Sequence, residues 1–306
     1  MISFSRAIVY VFRYLFDYQS ILTVFLFSFR PSKLTFGIYW FSICESCLWR
    51  ADKNSRIVRE ESTLSDHTST DKPSSATTPT QDKYPVKRGF TGHLFNILGM
   101  TGTLLLVRFR SQGRANIPKK APYVIAANHQ TYIDGMWLAH FLPRKHFKVM
   151  CCLAGSDLET SHGPLGKIIM HVGRGIAVDR YGNPVRGLIK AKKEIENGHI
   201  MLVHPEGTRT SDGKVAELKD GAGYMAVKAN VPLLPVYIEG GYAVFSRHTK
   251  YPKPWDKEKH RRKRVTVHYG KPLLPADYDN NAHKITAALS DWMLGMEAYL
   301  QENPTV

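Results

Sequence analysis

The chain reads as an α/β domain with a largely parallel central sheet flanked by helices, and three observations point there. Short apolar runs alternate with longer helix-like segments from about residue 120 to the C-terminus, the rhythm of strand-helix-strand units. One helical segment, Pro184 to Asn197, has proline at its start and Gly198 just past its end, where each is favoured. The last segment, Ala282 to Leu300, places Ile285, Leu289, Trp292, Met293, Met296 and Leu300 on one face of a helix.

Taken in chain order, residues 1–53 are rich in Phe, Tyr, Ile and Leu but are cut by Arg6, Arg13, Asp17, Arg30 and Glu45. The charge-free stretch from Tyr18 to Phe29 has twelve residues, against the roughly 20 that a spanning helix wants. An interfacial segment is expected, with a hydrophobic hairpin left open. No small-residue cleavage site follows a clean apolar core, as a signal peptide would require. Cys44-x-x-Cys47 has no second Cys or His pair nearby, so two small buried side chains are expected in preference to a metal or redox site. Residues 54–83 turn to Ser, Thr, Asp, Lys and Pro, the composition of a flexible linker. Residues 84–306 then suffice for one well-buried domain.

That domain opens on Phe90 to Val107, eighteen residues without a formal charge, bracketed by Lys87, Arg88, Arg108 and Arg110. Basic flanks suit a membrane surface. The glycines, His93 and Asn96 leave a shallow or re-entrant helix and a full span equally open, with a soluble core helix as the third reading. Strands are predicted at Tyr123–Ala127, Phe147–Cys152, Ile176–Asp179, His199–Val203, Leu233–Ile238 and Val265–Tyr269. A helix is predicted at Tyr132–Leu142, and others fill the remaining gaps.

A net charge of +16, from 42 Lys and Arg against 26 Asp and Glu, asks for an acidic partner, either an anionic membrane or a nucleic acid. The run Arg247 to Arg264 concentrates that charge and interleaves Tyr251 and Trp255. Anionic lipid head groups rank first for it and a solvated loop second. Nucleic acid is last, because no nucleic-acid motif accompanies the run. Cys44, Cys47, Cys151 and Cys152 make no disulfide framework in a chain of this size, which fits a reducing compartment.

The chemistry concentrates in Asn128-His129-Gln130-Thr131-Tyr132-Ile133-Asp134 and Pro205-Glu206-Gly207-Thr208-Arg209. A histidine with a carboxylate in reach removes a proton from a hydroxyl, and an arginine in a turn holds a phosphate. His129 and Asp134 are five positions apart, about 140° round a helix, so they must straddle a loop-to-helix junction to meet. Their bland alternatives are a turn histidine and a helix-start carboxylate. His199 and His204 lie along a predicted strand and its end and are expected to be structural. Ser156 lacks the glycine two positions before it that a nucleophile elbow carries, so no covalent acyl-enzyme is indicated.

These segments resemble the glycerolipid acyltransferase family in four motifs that occur in order. They are the H-x-x-x-x-D pair at His129 and Asp134, Gly175-Ile176-Ala177-Val178-Asp179-Arg180, Pro205 to Arg209, and Val231-Pro232-Leu233-Leu234-Pro235-Val236. The match covers about residues 85 to 275. It departs from the family at His204, where Phe is usual, at Thr210 in place of Ser, and at Ala154-Gly155-Ser156-Asp157, where the family often has lysine. The resemblance implies membrane-associated N-terminal helices, including a membrane-contacting helix at 90–107, and a site on the cytoplasmic side of a membrane.

It further implies that His129 is a general base steadied by Asp134, and that backbone amides stabilise the oxyanion. Glu206, Gly207, Thr208 and Arg209 are implied to bind the acceptor, with Arg180 a second phosphate candidate. Glu206 is also open to a purely structural role, and Arg180 to a surface ion pair. No cofactor or metal is implied; acyl-CoA or acyl carrier protein would be the co-substrate. The acceptor implied is 1-acyl-sn-glycerol 3-phosphate (lysophosphatidic acid), giving phosphatidic acid. Glycerol 3-phosphate, another lysophospholipid, or a non-catalytic membrane-surface protein of the same fold are the alternatives.

Overall fold

A computed structural model describes residues 88–158, 163–179 and 181–303. The expectations for residues 1–53 and 54–83, for Cys44 and Cys47, for Lys87 and for Arg180 lie outside these residues. The strands are β1 (Arg108–Gln112), β2 (Val124–Ala127), β3 (Met150–Gly155), β4 (Gly175–Val178), β5 (Ile200–Val203), β6 (Leu233–Glu239), β7 (Trp255–Asp256), β8 (Arg261–Arg262) and β9 (Arg264–Tyr269). The helices are α1 (Phe90–Leu106), α2 (Asp134–His140), α3 (Arg144–Val149), α4 (Gly163–Gly173), α5 (Val185–Glu196), α6 (Gly221–Lys228), α7 (Gly241–Phe245) and α8 (Ala282–Glu302).

Seven strands form one sheet in the order β1-β9-β6-β2-β5-β3-β4, and β7 and β8 pair as a separate ribbon. From β6 to β4 every neighbouring pair is parallel. β9 runs antiparallel to β6 and carries β1 parallel to itself at the edge. All four residues of β2 are buried, as a central strand covered on both faces requires. Alternate side chains divide between two cores: Tyr123, Ile125 and Ala127 pack with Trp137 and Leu138, whereas Val124 and Ala126 pack with Met225, Ile285 and Leu289. Helix α8 seats Ile285, Leu289 and Met293 fully in the second core, with Trp292 packed at its margin. Asn281 caps it by accepting from the amides of His283 and Lys284.

Several predicted elements move. The predicted strand Phe147–Cys152 is a helix end followed by a strand: Phe147 to Val149 close α3, and β3 continues to Gly155. The predicted helix Tyr132–Leu142 is confined to Asp134–His140, because the residues before it form the turn described below. β1 was not anticipated. Its Arg-Phe-Arg-Ser-Gln sequence is an edge strand with little burial, which leaves no apolar alternation to read.

Helix α1 buries Gly92, Met100 and Thr103, and Thr103 Oγ1 accepts from Trp137 Nε1 at 3.1 Å. Its opposite stripe, Phe90, Leu94, Ile97, Leu98, Leu104 and Leu105, stays exposed. No described helix is long and apolar enough to cross a membrane. The expected basic flank is corrected at Arg88, which is buried: its guanidinium donates to the carbonyls of Phe147, Met150 and Val172 and lies over the Phe147 ring. It pins the start of α1 to the α3–β3 junction.

Candidate active site

Register brings the two informative segments together. β2 and β5 pair in parallel with a constant offset, Val124 opposite Met201 through Ala126 opposite Val203. Both chains continue past their strand ends at the same offset of 77 positions, so His204 Nδ1 reaches the Ala127 carbonyl and Glu206 reaches the His129 amide. Sites gather at the carboxyl ends of such parallel strands because the chain leaves the sheet there with free side chains and main-chain groups. On the other side β6 holds the loop: the Asn128 side chain donates to the Ile238 carbonyl at 3.1 Å and accepts from the Ile238 amide at 2.7 Å. Asn128 carries no signal of this role in the sequence. A reciprocal amide-to-backbone bridge of this kind depends on which strand lies opposite.

Within that frame His129 Nδ1 stands 3.0 Å from Asp134 Oδ2. His129 sits in the loop and Asp134 is the first residue of α2, so the pair straddles the loop-to-helix junction that their spacing demanded. Oδ2 also accepts from the amides of Gln130 at 2.7 Å and Thr131 at 2.8 Å, and Oδ1 accepts from Thr131 Oγ1 at 2.7 Å. The carboxylate therefore shapes the whole turn as well as holding the ring. Burial pushes its pKa up, while the hydrogen bonds from Thr131 and Gln130 pull the other way by favouring the charged form. With Asp134 accepting, Nδ1 carries the proton and Nε2 is left as the basic atom. The Asp134 side chain is 1% exposed and that of His129 is 20% exposed, so the carboxylate is sealed while the base meets solvent.

The Pro205–Arg209 segment divides its residues between two tasks. Glu206 faces inward: it is buried, Oε1 accepts from the His129 amide at 2.7 Å, and Oε2 accepts from the Ala216 amide at 3.2 Å. Both oxygens brace loops, the structural role left open for this residue by its sequence. Burial raises the Glu206 pKa to about 7, with the two amide bonds opposing the shift. Gly207 has φ +76°, the left-handed conformation that a tight turn here needs and glycine adopts without strain. Thr208 is exposed, and the Arg209 guanidinium lies 3.5 Å from the centroid of the Tyr132 ring. Arg247 donates to the Arg209 carbonyl at 3.0 Å, and the Thr210 amide donates to the His129 carbonyl at 2.8 Å. Arg209 is thereby tied to the base by main-chain links and carried on an aromatic face. Strand β4, which leads into the Gly175–Arg180 motif, is the sheet edge, three places from β2. There Asp179 Oδ1 accepts from the amides of Tyr181 and Gly182 and closes a turn.

His204, expected to be structural, is in the site. Its ring stacks on His129 with centroids 3.9 Å apart and planes 11° apart. Its Nδ1 lies 3.0 Å from the Ala127 carbonyl and 3.1 Å from the Asn128 carbonyl, which makes it a donor. Burial, then the neighbouring His129, lowers its pKa to about 3, so the ring is neutral at working pH.

His129, Asp134 and His204 each place one potential ligand atom within 4.8 Å of the others. The stacked rings argue against a shared ion. Imidazole lone pairs lie in the ring plane, so two parallel rings cannot both aim at one metal, and the His204 Nδ1 is committed to two carbonyls. The arrangement is a hydrogen-bonded base and carboxylate backed by a neutral ring.

The chain is similar to known proteins in sequence and in fold. Residues 108–239 match the Acyltransferase family. The chain is 28% identical over 149 residues to 1-acyl-sn-glycerol-3-phosphate acyltransferase beta of Homo sapiens, covering 47% of this chain and 51% of that protein. It is 23% identical over 201 residues to 1-acyl-sn-glycerol-3-phosphate acyltransferase of Limnanthes alba, covering 64% and 66%. The matched region thus spans about half the length of the mammalian relatives. The crystal structure of the 1-acyl-sn-glycerophosphate (LPA) acyltransferase PlsC from Thermotoga maritima superposes with a TM-score of 0.56 at 24% identity, covering 69% of this chain and 79% of that one. That likeness establishes the fold, an α/β domain with a mostly parallel sheet.

Proposed function

From the match of residues 108–239 to the Acyltransferase family, we propose that this protein transfers a fatty acyl chain from a thioester donor, acyl-CoA or acyl carrier protein, to the free hydroxyl of 1-acyl-sn-glycerol 3-phosphate. The observation that carries the reading is the His129–Asp134 contact at 3.0 Å, with the carboxylate sealed and the histidine open to solvent. Nε2 takes the proton of the acceptor hydroxyl as its oxygen attacks the thioester carbonyl carbon. The imidazolium that forms is held by the Asp134 carboxylate, as in a serine-protease triad. Collapse of the tetrahedral adduct breaks the carbon–sulfur bond, and the proton passes from His129 to the departing thiolate. Arg209, steadied on Tyr132, takes the acceptor phosphate with paired hydrogen bonds that a point charge cannot duplicate.

A lipid acceptor places the reaction at a membrane, and two features support that location. The apolar stripe of α1 faces outward. At its C-terminal end Arg262 donates to the carbonyls of Leu104 and Leu105, which sets the basic β7–β8 ribbon, with exposed Trp255, beside the stripe. Cations and an amphipathic aromatic next to apolar side chains match an anionic lipid surface.

The deciding experiment is incorporation of radiolabelled acyl-CoA, and separately acyl-loaded carrier protein, into phosphatidic acid with lysophosphatidic acid as acceptor. Wild type should be active and His129→Ala lower by about 10³-fold or more. Equal activity in the two would remove His129 as the base, and no product from wild type with either donor would remove the acceptor assignment.

A further inference from the structure

We propose that His204 is a positioning residue for the base, a fixed flat platform that holds the His129 ring in its working orientation. The proposal rests on the reading of His129 as general base and adds a residue to it. The Nδ1–Asp134 hydrogen bond acts at one edge of the His129 ring, and any rocking of the ring about that edge tilts Nε2. Basicity at Nε2 is useful only when its lone pair points at the acceptor hydroxyl, so rocking costs rate. A second ring at 3.9 Å and 11° removes the motion by contact across the whole face.

The platform is itself anchored. Its Nδ1–H is shared by the carbonyls of Ala127 and Asn128, the two residues that lead into His129. Platform and base are therefore mounted on the same strand end and move together. The ring chemistry suits the task as well. A neutral imidazole presents an electron-rich face to the imidazolium that forms on His129 during proton transfer, whereas a second cation there would oppose it. Leucine would fill the same volume without a flat face, and phenylalanine would keep the face without the anchor.

The test compares wild type, His204→Phe and His204→Leu as full-length protein, with thermal unfolding to verify that all three fold. Turnover in His204→Phe should stay within about 5-fold of wild type, and kcat in His204→Leu should fall about 10–100-fold with the acceptor KM unchanged. Equal kcat in the Phe and Leu variants, or a change confined to KM, would overturn the proposal. A substrate-free readout keeps it testable if the assigned acceptor is wrong. Long-range proton–nitrogen NMR of the histidine rings, with His129→Gln identifying the signals, should show one sharp Nδ1–H form of His129 in wild type and His204→Phe and an averaged form in His204→Leu. Identical His129 signals in all three would sink the idea independently of any activity.

Discussion

The main-chain amide of His129 donates to Glu206 Oε1 at 2.7 Å, so the residue proposed as the base is held in place by the segment proposed to carry the acceptor. The second Glu206 oxygen takes the Ala216 amide, and a glutamine in its place can accept at only one of the two positions. Glu206→Gln should therefore lower kcat at least about 10-fold and destabilise the fold by about 1–3 kcal/mol near pH 5. The pH dependence has a definite sign. A carboxyl raised from 4.5 to about 7 on folding binds its proton more tightly in the folded state. Its contribution is complete below pH 4.5 and is lost as pH rises through 7. The stability gap between wild type and Glu206→Gln should narrow from pH 5 to pH 8 in urea unfolding. A gap that widens with pH would contradict the assignment.

Asp134 accepts four hydrogen bonds, and only one of them comes from His129. Asp134→Asn keeps the shape but places an amide N–H₂ or a single carbonyl among donors, so the ring loses its charged partner and its fixed tautomer. Turnover should fall about 10²–10⁴-fold. Thermal unfolding should also drop, because at least one buried donor is left unmatched. A variant with normal turnover would show that Asp134 serves the turn alone.

The parts of this site that were legible in the sequence are local. His129 and Asp134 lie five positions apart, and the requirement that they span a loop-to-helix junction follows from helix geometry alone. Gly207 announces a turn for similar reasons. The contacts of Glu206, Asn128 and His204 were not legible in the same way, because each depends on which strand lies beside β2 and at what offset. The spacing between the two motifs is that offset extended beyond the strand ends, but one sequence does not reveal that two stretches are paired. His204 looked like a strand-end histidine for this reason.

Fold-level differences have equally specific causes. Phe147 and Val149 are apolar and precede two cysteines, so the run read as one strand, yet the chain turns from helix to strand at Met150. Arg88 read as a surface charge because nothing local says that the carbonyls of Phe147, Met150 and Val172 converge on it. β5, β6 and β9, apolar and bounded by turn residues, stand within a residue of where their composition put them.

Under the proposed function, Arg209 recognises the acceptor phosphate and takes no part in proton transfer. Burial lowers its pKa from the ordinary value, as does the nearby Arg247, but the guanidinium stays charged at working pH. Arg209→Lys retains a charge but loses the planar contact with Tyr132 and the paired donors. The KM for lysophosphatidic acid should rise about 10–100-fold with kcat changed far less, and a monoacylglycerol acceptor without phosphate should be indifferent to the substitution. Equal losses on both acceptors would assign Arg209 to the architecture of the turn instead.

The outward stripe of α1 makes a claim about depth that can be measured at one residue. Ile97 is 60% exposed and lies on the stripe, whereas Glu217 is exposed elsewhere, in the loop before α6. An environment-sensitive fluorophore at Ile97→Cys, in a chain with Cys44 and Cys47 replaced by serine, should shift to shorter wavelength on addition of vesicles containing phosphatidylserine. The same label at Glu217→Cys should not respond. Because the basic ribbon flanks the stripe through Arg262, the shift should be weaker with neutral vesicles and should decline with salt as the Debye length shortens. A label at position 97 that stays in water on anionic vesicles would show that the stripe meets something other than a bilayer, since bound lipid would have to exclude water from an apolar side chain at that position.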